Sequence, residues 1–136
     1  LGIHQNALLL FERRTQLLMD LSLNVKALIS QRLIPKKDGA GRAAAIEIML
    51  NSPLIADLIF KGEVNSIKEV MSKSRELGME TFDGALFKLY EDGAISYEDA
   101  LKNADSVNDL RLRIKLESKL SKDRDVMSGT ENLQLG

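Results

Sequence analysis

The stretch Gln31-Arg32-Leu33-Ile34-Pro35-Lys36-Lys37-Asp38-Gly39-Ala40-Gly41-Arg42-Ala43-Ala44-Ala45-Ile46-Glu47-Ile48-Met49 decides the fold class. Gln31 to Pro35 is short and stops at a proline, whose ring restricts the residue before it to extended backbone, so the segment reads as a strand or an extended exit. Asp38-Gly39-Ala40-Gly41 supplies turn chemistry, because glycine accepts positive φ without a Cβ clash. From Arg42 to Met49 the chain returns with Ile46 and Ile48 on one face and Glu47 on the other. The three pieces predict a β-hairpin whose loop is too long for a tight two-residue turn.

Helical patterns lie on both sides of this hairpin. From about Leu8 to Ile29, the residues Leu17, Leu18, Leu21, Val25, Leu28 and Ile29 recur at helical spacings on one stripe. Glu12, Arg13, Arg14, Gln16 and Lys26 take the remaining positions. Beyond the hairpin, Asn51-Ser52-Pro53 reads as a cap followed by proline at the first helical position, and Gly62 ends that helix. Ser66-Ile67-Lys68-Glu69 matches a capping box, with Ile67, Val70, Met71 and Leu77 expected inward and Gly78 at the end. Thr81 opens another helix, with Phe82, Ala85, Leu86, Leu89 and Tyr90 on one stripe and Gly93 after it. Ser96 with Asp99 and Ser106 with Asp109 repeat the start signal with a shorter acid. The stretch from Ser121 to Gly136 is polar and has no sustained stripe, which reads as a flexible C-terminal tail. The expected architecture is α+β, predominantly helical with a short β-hairpin. Residues 1–120 form one domain, followed by the tail at 121–136.

Composition narrows the function classes. Nineteen basic residues stand against twenty acidic ones, so the clustered cationic excess that phosphate neutralisation needs is missing, and no nucleic-acid partner is expected. There is no cysteine, which removes disulfides, thiolate zinc sites and thiol nucleophiles and fits a reducing cytosol. No apolar run approaches the roughly eighteen residues that would suggest a membrane span. Leu1-Gly2-Ile3-His4 does not read as a signal peptide, and the lack of an initiating Met suggests a processed or partial chain.

Chemistry-bearing motifs are equally sparse. A phosphate-binding loop needs glycine, four residues, then Gly-Lys-Ser/Thr, and no such string occurs. Gly39 and Gly41 therefore read as turn residues. No apolar strand ends in Asp-Glu, the pair that would hold magnesium. Glu47 is read as an outward-facing or ion-paired carboxylate. His4, the only histidine, reads as a solvent-exposed imidazole, and Asp83 and Asp92 as helix-end acids facing the dipole or solvent. The five methionines read as core or cap contacts. No catalytic, cofactor-binding or metal-ligating residue is expected in this chain.

A series of motifs in order carries a resemblance. Glu12-Arg13-Arg14-Thr15-Gln16-Leu17-Leu18-Met19-Asp20-Leu21-Ser22, then Ser30 to Pro35, Gly41 to Met49, Gly78-Met79-Glu80-Thr81-Phe82-Asp83 and Tyr97-Glu98-Asp99-Ala100-Leu101, resemble the pilus-retraction branch of the type II/IV secretion ATPase superfamily. The likeness covers about Glu12 to Leu116. Leu54-Ile55-Ala56-Asp57-Leu58-Ile59 and the ending Ser106 to Leu116 look like the accessory paralogue of that branch rather than its principal retraction motor. Pro35-Lys36-Lys37, without a cysteine-bearing zinc element, is unlike the assembly ATPases. Gly84 stands where family members commonly carry Gln.

The resemblance implies a hexameric RecA-like ATPase of twitching motility, cytoplasmic and peripheral to the bacterial inner membrane, using ATP and Mg2+ when intact. It implies that this piece is the distal part of the C-terminal motor domain with its helical bundle. The implied partners are other copies, a related retraction ATPase and the inner-membrane pilus platform protein. Leu54, Ile55, Ala56, Asp57, Leu58 and Ile59 form the candidate partner-docking helix, and a non-catalytic helical interaction module is the alternative function. The family's nucleotide-sensing histidine role is not carried onto His4.

Overall fold

The computed structural model describes residues 2–120. Its order is helix α1 (Gly2–Asn24), strands β1 (Ala27–Pro35) and β2 (Arg42–Leu50), then helices α2 (Pro53–Lys61), α3 (Val64–Ser72), a 3-10 turn at Arg75–Leu77, α4 (Phe82–Glu91), α5 (Tyr97–Lys102) and α6 (Val107–Glu117). The two strands pair as a hairpin, closed where the Lys36 amide donates to the Gly41 carbonyl at 2.9 Å. The chain is α+β and mostly helical, as the sequence predicts. The segment 121–136, read as a tail, lies outside the described residues.

The described chain divides into two compact units. The first takes the residues up to Ser30 together with Glu47–Thr81; the second takes Gln31–Ile46 and the chain from Phe82 onward. Each has its own core.

In the first unit, α1 stops at Asn24 rather than running to Ile29. Leu28 and Ile29 fit a helical stripe by spacing but belong to β1, where pairing with β2 satisfies the backbone, while the Val25 N–H still donates to the Leu21 carbonyl at 3.0 Å. The end of α1 is held from outside. The Asn51 side-chain amide donates to the Ser22 and Val25 carbonyls at 3.0 and 2.9 Å, satisfying acceptors that a helix terminus leaves open.

Helix α2 starts and ends where its punctuation says. Ser52 Oγ accepts the Ile55 N–H at 3.2 Å, Pro53 opens the helix, and Gly62 takes φ +71°, a left-handed value that favours glycine. Helix α3, by contrast, begins at Val64 with Glu63 before it, so Ser66 is inside the first turn and the expected capping box does not form. Its acid is engaged elsewhere: Glu69 Oε1 accepts from Lys73 Nζ at 2.6 Å, one turn on. Leu77 is 63% exposed on the 3-10 turn, not inward, because the chain leaves α3 at Ser72 and the stripe is broken. Met49, Ile55, Ile59, Met71 and Met79 make the core, with Val25, Leu50, Ile67 and Val70 against it. Reciprocal backbone bonds between Ile48 and Glu80 bring the segment after the 3-10 turn alongside β2.

The second unit packs Ile34, Ala43 and Ala45 of the hairpin with Phe82, Leu86 and Tyr90 of α4, Ile95, Ala100 of α5, and Leu110 and Ile114 of α6. Gly84 is buried within α4, which runs unbroken past it. Ser96 Oγ accepts the Asp99 N–H at 3.1 Å and caps α5. Ser106 instead donates its hydroxyl to Asp109 Oδ2 at 2.7 Å.

The faces of β2 divide as the alternation predicts, and the inward one is the face that carries Glu47. Ala43, Ala45 and Met49 are buried and share their side with Glu47, while Ile46 is 39% exposed. Small side chains suit the close approach of the core elements, and an ion pair makes the acid tolerable there.

Candidate docking surface

The glycine-bearing turn links two strands and does not open a helix, and its own amides are in use. Ala40 N–H donates to Asp38 Oδ1 at 2.8 Å, and Gly39 N–H to the Lys36 carbonyl at 3.1 Å. A turn whose donors are engaged and whose centre carries a carboxylate does not fit a nucleotide phosphate. Among the described residues no group of three or more His, Asp or Glu side chains could hold a metal ion. No described helix is long and apolar enough to cross a membrane.

His4 is exposed on α1. Glu47 is ion-paired, its side chain only 14% exposed, with Lys68 Nζ on its carboxylate. Asp92 is exposed after α4. Asp83 has a sharper role than a dipole acid. Its two oxygens accept the N–H groups of Asp105 and Ser106 at 2.7 and 3.0 Å, so a side chain from α4 satisfies donors at the start of α6.

The candidate docking helix α2 is amphipathic, and its apolar face is not the one offered outward. Ile55, Leu58 and Ile59 are buried, at spacings of three and four that put them on the core side. The buried residues at 55, 58 and 59 hold the unit together, which leaves the outward residues of α2 as its accessible face. Leu54 at 54% exposure and Phe60 at 47% face out, with Asp57 and Lys61 beside them in a 2.8 Å ion pair. The Asp57 carboxylate raises the Lys61 pKa through that hydrogen bond and its charge, so the outward face keeps a firm cation.

One cluster has no signature in the sequence. Arg32 on β1 stacks its guanidinium over the Phe82 ring, 3.8 Å from the centroid. The same group donates to the Asn103 carbonyl and to Asp105 Oδ1, both at 2.7 Å. One side chain thus joins the hairpin to the start of α4 and the end of α5. A lone Arg in a strand gives no signal of this, because its partners come about seventy residues later. A cavity of about 350 Å³ lies elsewhere in the same unit, lined by Lys37, Tyr90, Tyr97 and Glu98 among others. Its mixed charge gives no preference for an anionic ligand.

Comparison with known proteins gives the class. No protein-family profile matches the chain. The type IV pilus ATPase PilU of Pseudomonas aeruginosa is 56% identical over 124 residues, which is 91% of this chain and 32% of that protein. PilT of the same organism, a type IV pilus retraction ATPase, is 42% identical over 84 residues, 62% of this chain and 24% of its own length. A crystal structure of the pilus retraction motor PilT with bound ADP superposes with a TM-score of 0.62 at 31% identity, covering 72% of this chain and 26% of that one. A hairpin and helices in matching order, with 56% identity across nine-tenths of the chain, place the protein in a class: it belongs to the type IV pilus ATPases of the secretion ATPase superfamily. Within that class its identity to PilU exceeds its identity to PilT. The chain spans about a third of the length of that PilU.

Proposed function

We propose that this chain is the C-terminal segment of a hexameric ATPase that drives type IV pilus retraction and twitching motility, and that it contributes packing and docking surfaces rather than the nucleotide site. The 56% identity to PilU over almost the whole chain carries this reading. In the intact protein, ATP and Mg2+ would be held by residues outside this sequence. The inner-membrane platform protein and a related retraction ATPase would be met from the cytoplasmic side, with the outward residues Leu54, Asp57, Phe60 and Lys61 of α2 offering a partner face.

Two measurements test it. The isolated chain is expected to show no sustained ATP turnover; specific hydrolysis would contradict the division of labour. Replacing the matching third of Pseudomonas aeruginosa PilU with this chain is expected to give a protein that still supports twitching. A folded chimera without that activity would reject the proposal.

A further inference from the structure

The cavity of about 350 Å³ in the second unit lies where the hairpin turn meets the connection between α4 and α5. The Lys37 N–H donates to the Ala94 carbonyl at 2.9 Å and closes that contact. Tyr90 in the last turn of α4 and Tyr97 at the start of α5 line the cavity as an edge-to-face pair, with ring centroids 6.1 Å apart and planes at 64°. Ile95 between them is 1% exposed and Tyr90 5%, so this wall belongs to the packed core of the unit. The site is built wholly within that unit.

Two opposite charges, Lys37 and Glu98, line this same cavity. Among the described residues neither is in an ion pair, with the other or with a third group. The Tyr90 hydroxyl also has no hydrogen-bond partner among the described residues, although a buried phenol ordinarily finds one. Ser96 on the same wall is engaged, its hydroxyl donating to Asp99 Oδ2 at 2.9 Å. A cation, a carboxylate and a phenol are therefore left around an apolar floor.

We propose that the cavity binds a small zwitterion, a free amino acid with an apolar side chain. Its carboxylate meets the Lys37 ammonium and the Tyr90 hydroxyl, and its ammonium meets the Glu98 carboxylate. Its side chain lies against Ile95 and the paired tyrosine rings. A simple anion would satisfy Lys37 and be repelled by Glu98, and a simple cation would meet the reverse; only a ligand carrying both charges satisfies both. The cavity is at the small end of ligand sites, a size that suits one amino acid. Bound there, the ligand ties the hairpin turn to the start of α5. The inference uses the second unit alone and is independent of the retraction-motor reading.

An NMR titration of the full 136-residue chain with L-leucine, carried into the tens of millimolar, tests it. Saturable shifts are expected at Lys37, Tyr90, Tyr97 and Glu98, with slower exchange of the Lys37 amide. Leucinamide lacks the carboxylate and N-acetyl-leucine lacks the ammonium, and each is expected to bind about tenfold more weakly. Lys37→Ala should weaken leucine by the same factor and leave leucinamide where it was. Glu98→Gln should weaken leucine likewise and leave N-acetyl-leucine where it was. Both side chains are exposed, so the variants are expected to keep the wild-type spectrum away from the cavity. No saturable shift, shifts scattered over the surface, analogues that bind as tightly as leucine, or charge variants without this matched pattern would each overturn the proposal.

Discussion

The Arg32 guanidinium lies 3.8 Å above the centre of the Phe82 ring while donating to the Asn103 carbonyl and Asp105 Oδ1 at 2.7 Å each. The stacking uses the planar face of the group and the hydrogen bonds use its edge, so the two do not compete. Lysine cannot reproduce this, since an ammonium has neither the plane nor the fork.

Arg32→Ala is accordingly expected to destabilise the second unit by about 1–2 kcal/mol, a figure held down by the side chain's 37% exposure. Arg32→Lys should recover less than half of the loss. Urea unfolding followed by a probe in α4 or α6 measures both. An alanine variant with unchanged midpoint would mean the cluster is decorative.

Asp83 acts at a distance in sequence and should report at a distance too. Its carboxylate accepts two backbone donors at the entry to α6. Asp83→Ala should cost about 1 kcal/mol, similar to losing a helix cap, and Asp83→Asn less, since one acceptor remains. Amide exchange at Asp105 and Ser106 is expected to quicken in the alanine variant while exchange within α5 stays near wild type. Uniform change across the unit would point to general loosening instead.

Arg32 and Asp83 also show where a sequence stops being readable. The hairpin is legible because its turn residues and alternation are local. So are Ser52, Pro53 and Gly62 around α2, whose cap geometry involves neighbours within a few positions. The β2 face is not, because Ile46 and Ile48 outrank alanines on hydrophobicity. The side that faces the core is set by how closely other elements approach, and Ala43 and Ala45 suit that approach. The capping box at Ser66 fails because α3 already begins at Val64, which places Ser66 inside the first turn, an earlier start the motif alone does not reveal. Arg32 and Asp83 are invisible as a cluster because their partners are brought together only by the packing of α4, α5 and α6. Helix α2 is legible as an amphipathic element, but its apolar residues at 55, 58 and 59 belong to the unit's own core.

That distinction decides which α2 variant is informative. Leu58→Asp puts a carboxylate into a site only 7% exposed and is expected to unfold the first unit, costing well over about 3 kcal/mol, so lost binding there would say nothing about docking. Leu54→Asp changes a side chain 54% exposed and should leave the melting temperature within a few degrees. A pull-down with the pilus platform protein is expected to weaken on Leu54→Asp and Phe60→Ala. Full binding by both folded variants would remove α2 from the partner surface.

The two lysines Lys68 and Lys73 separate an ion pair with a mostly buried carboxylate from a fully exposed one. Lys73 pairs with Glu69 at the surface and lowers that carboxyl's pKa through its hydrogen bond and its charge. Because the folded-state value is depressed, the stabilisation is present above the unfolded carboxyl's titration and is lost as pH falls through the folded one. Lys73→Ala should bring the Glu69 midpoint back toward an ordinary glutamate in a carbon-detected NMR titration, with little effect on unfolding at neutral pH. Lys68 instead faces Glu47, whose side chain is only 14% exposed on the inward side of β2. Withdrawing its ammonium by Lys68→Ala is expected to cost about 1–3 kcal/mol in urea unfolding at neutral pH. If Lys68→Ala and Lys73→Ala shifted the urea midpoint equally, the burial of Glu47 on the inward side of β2 would have no energetic consequence.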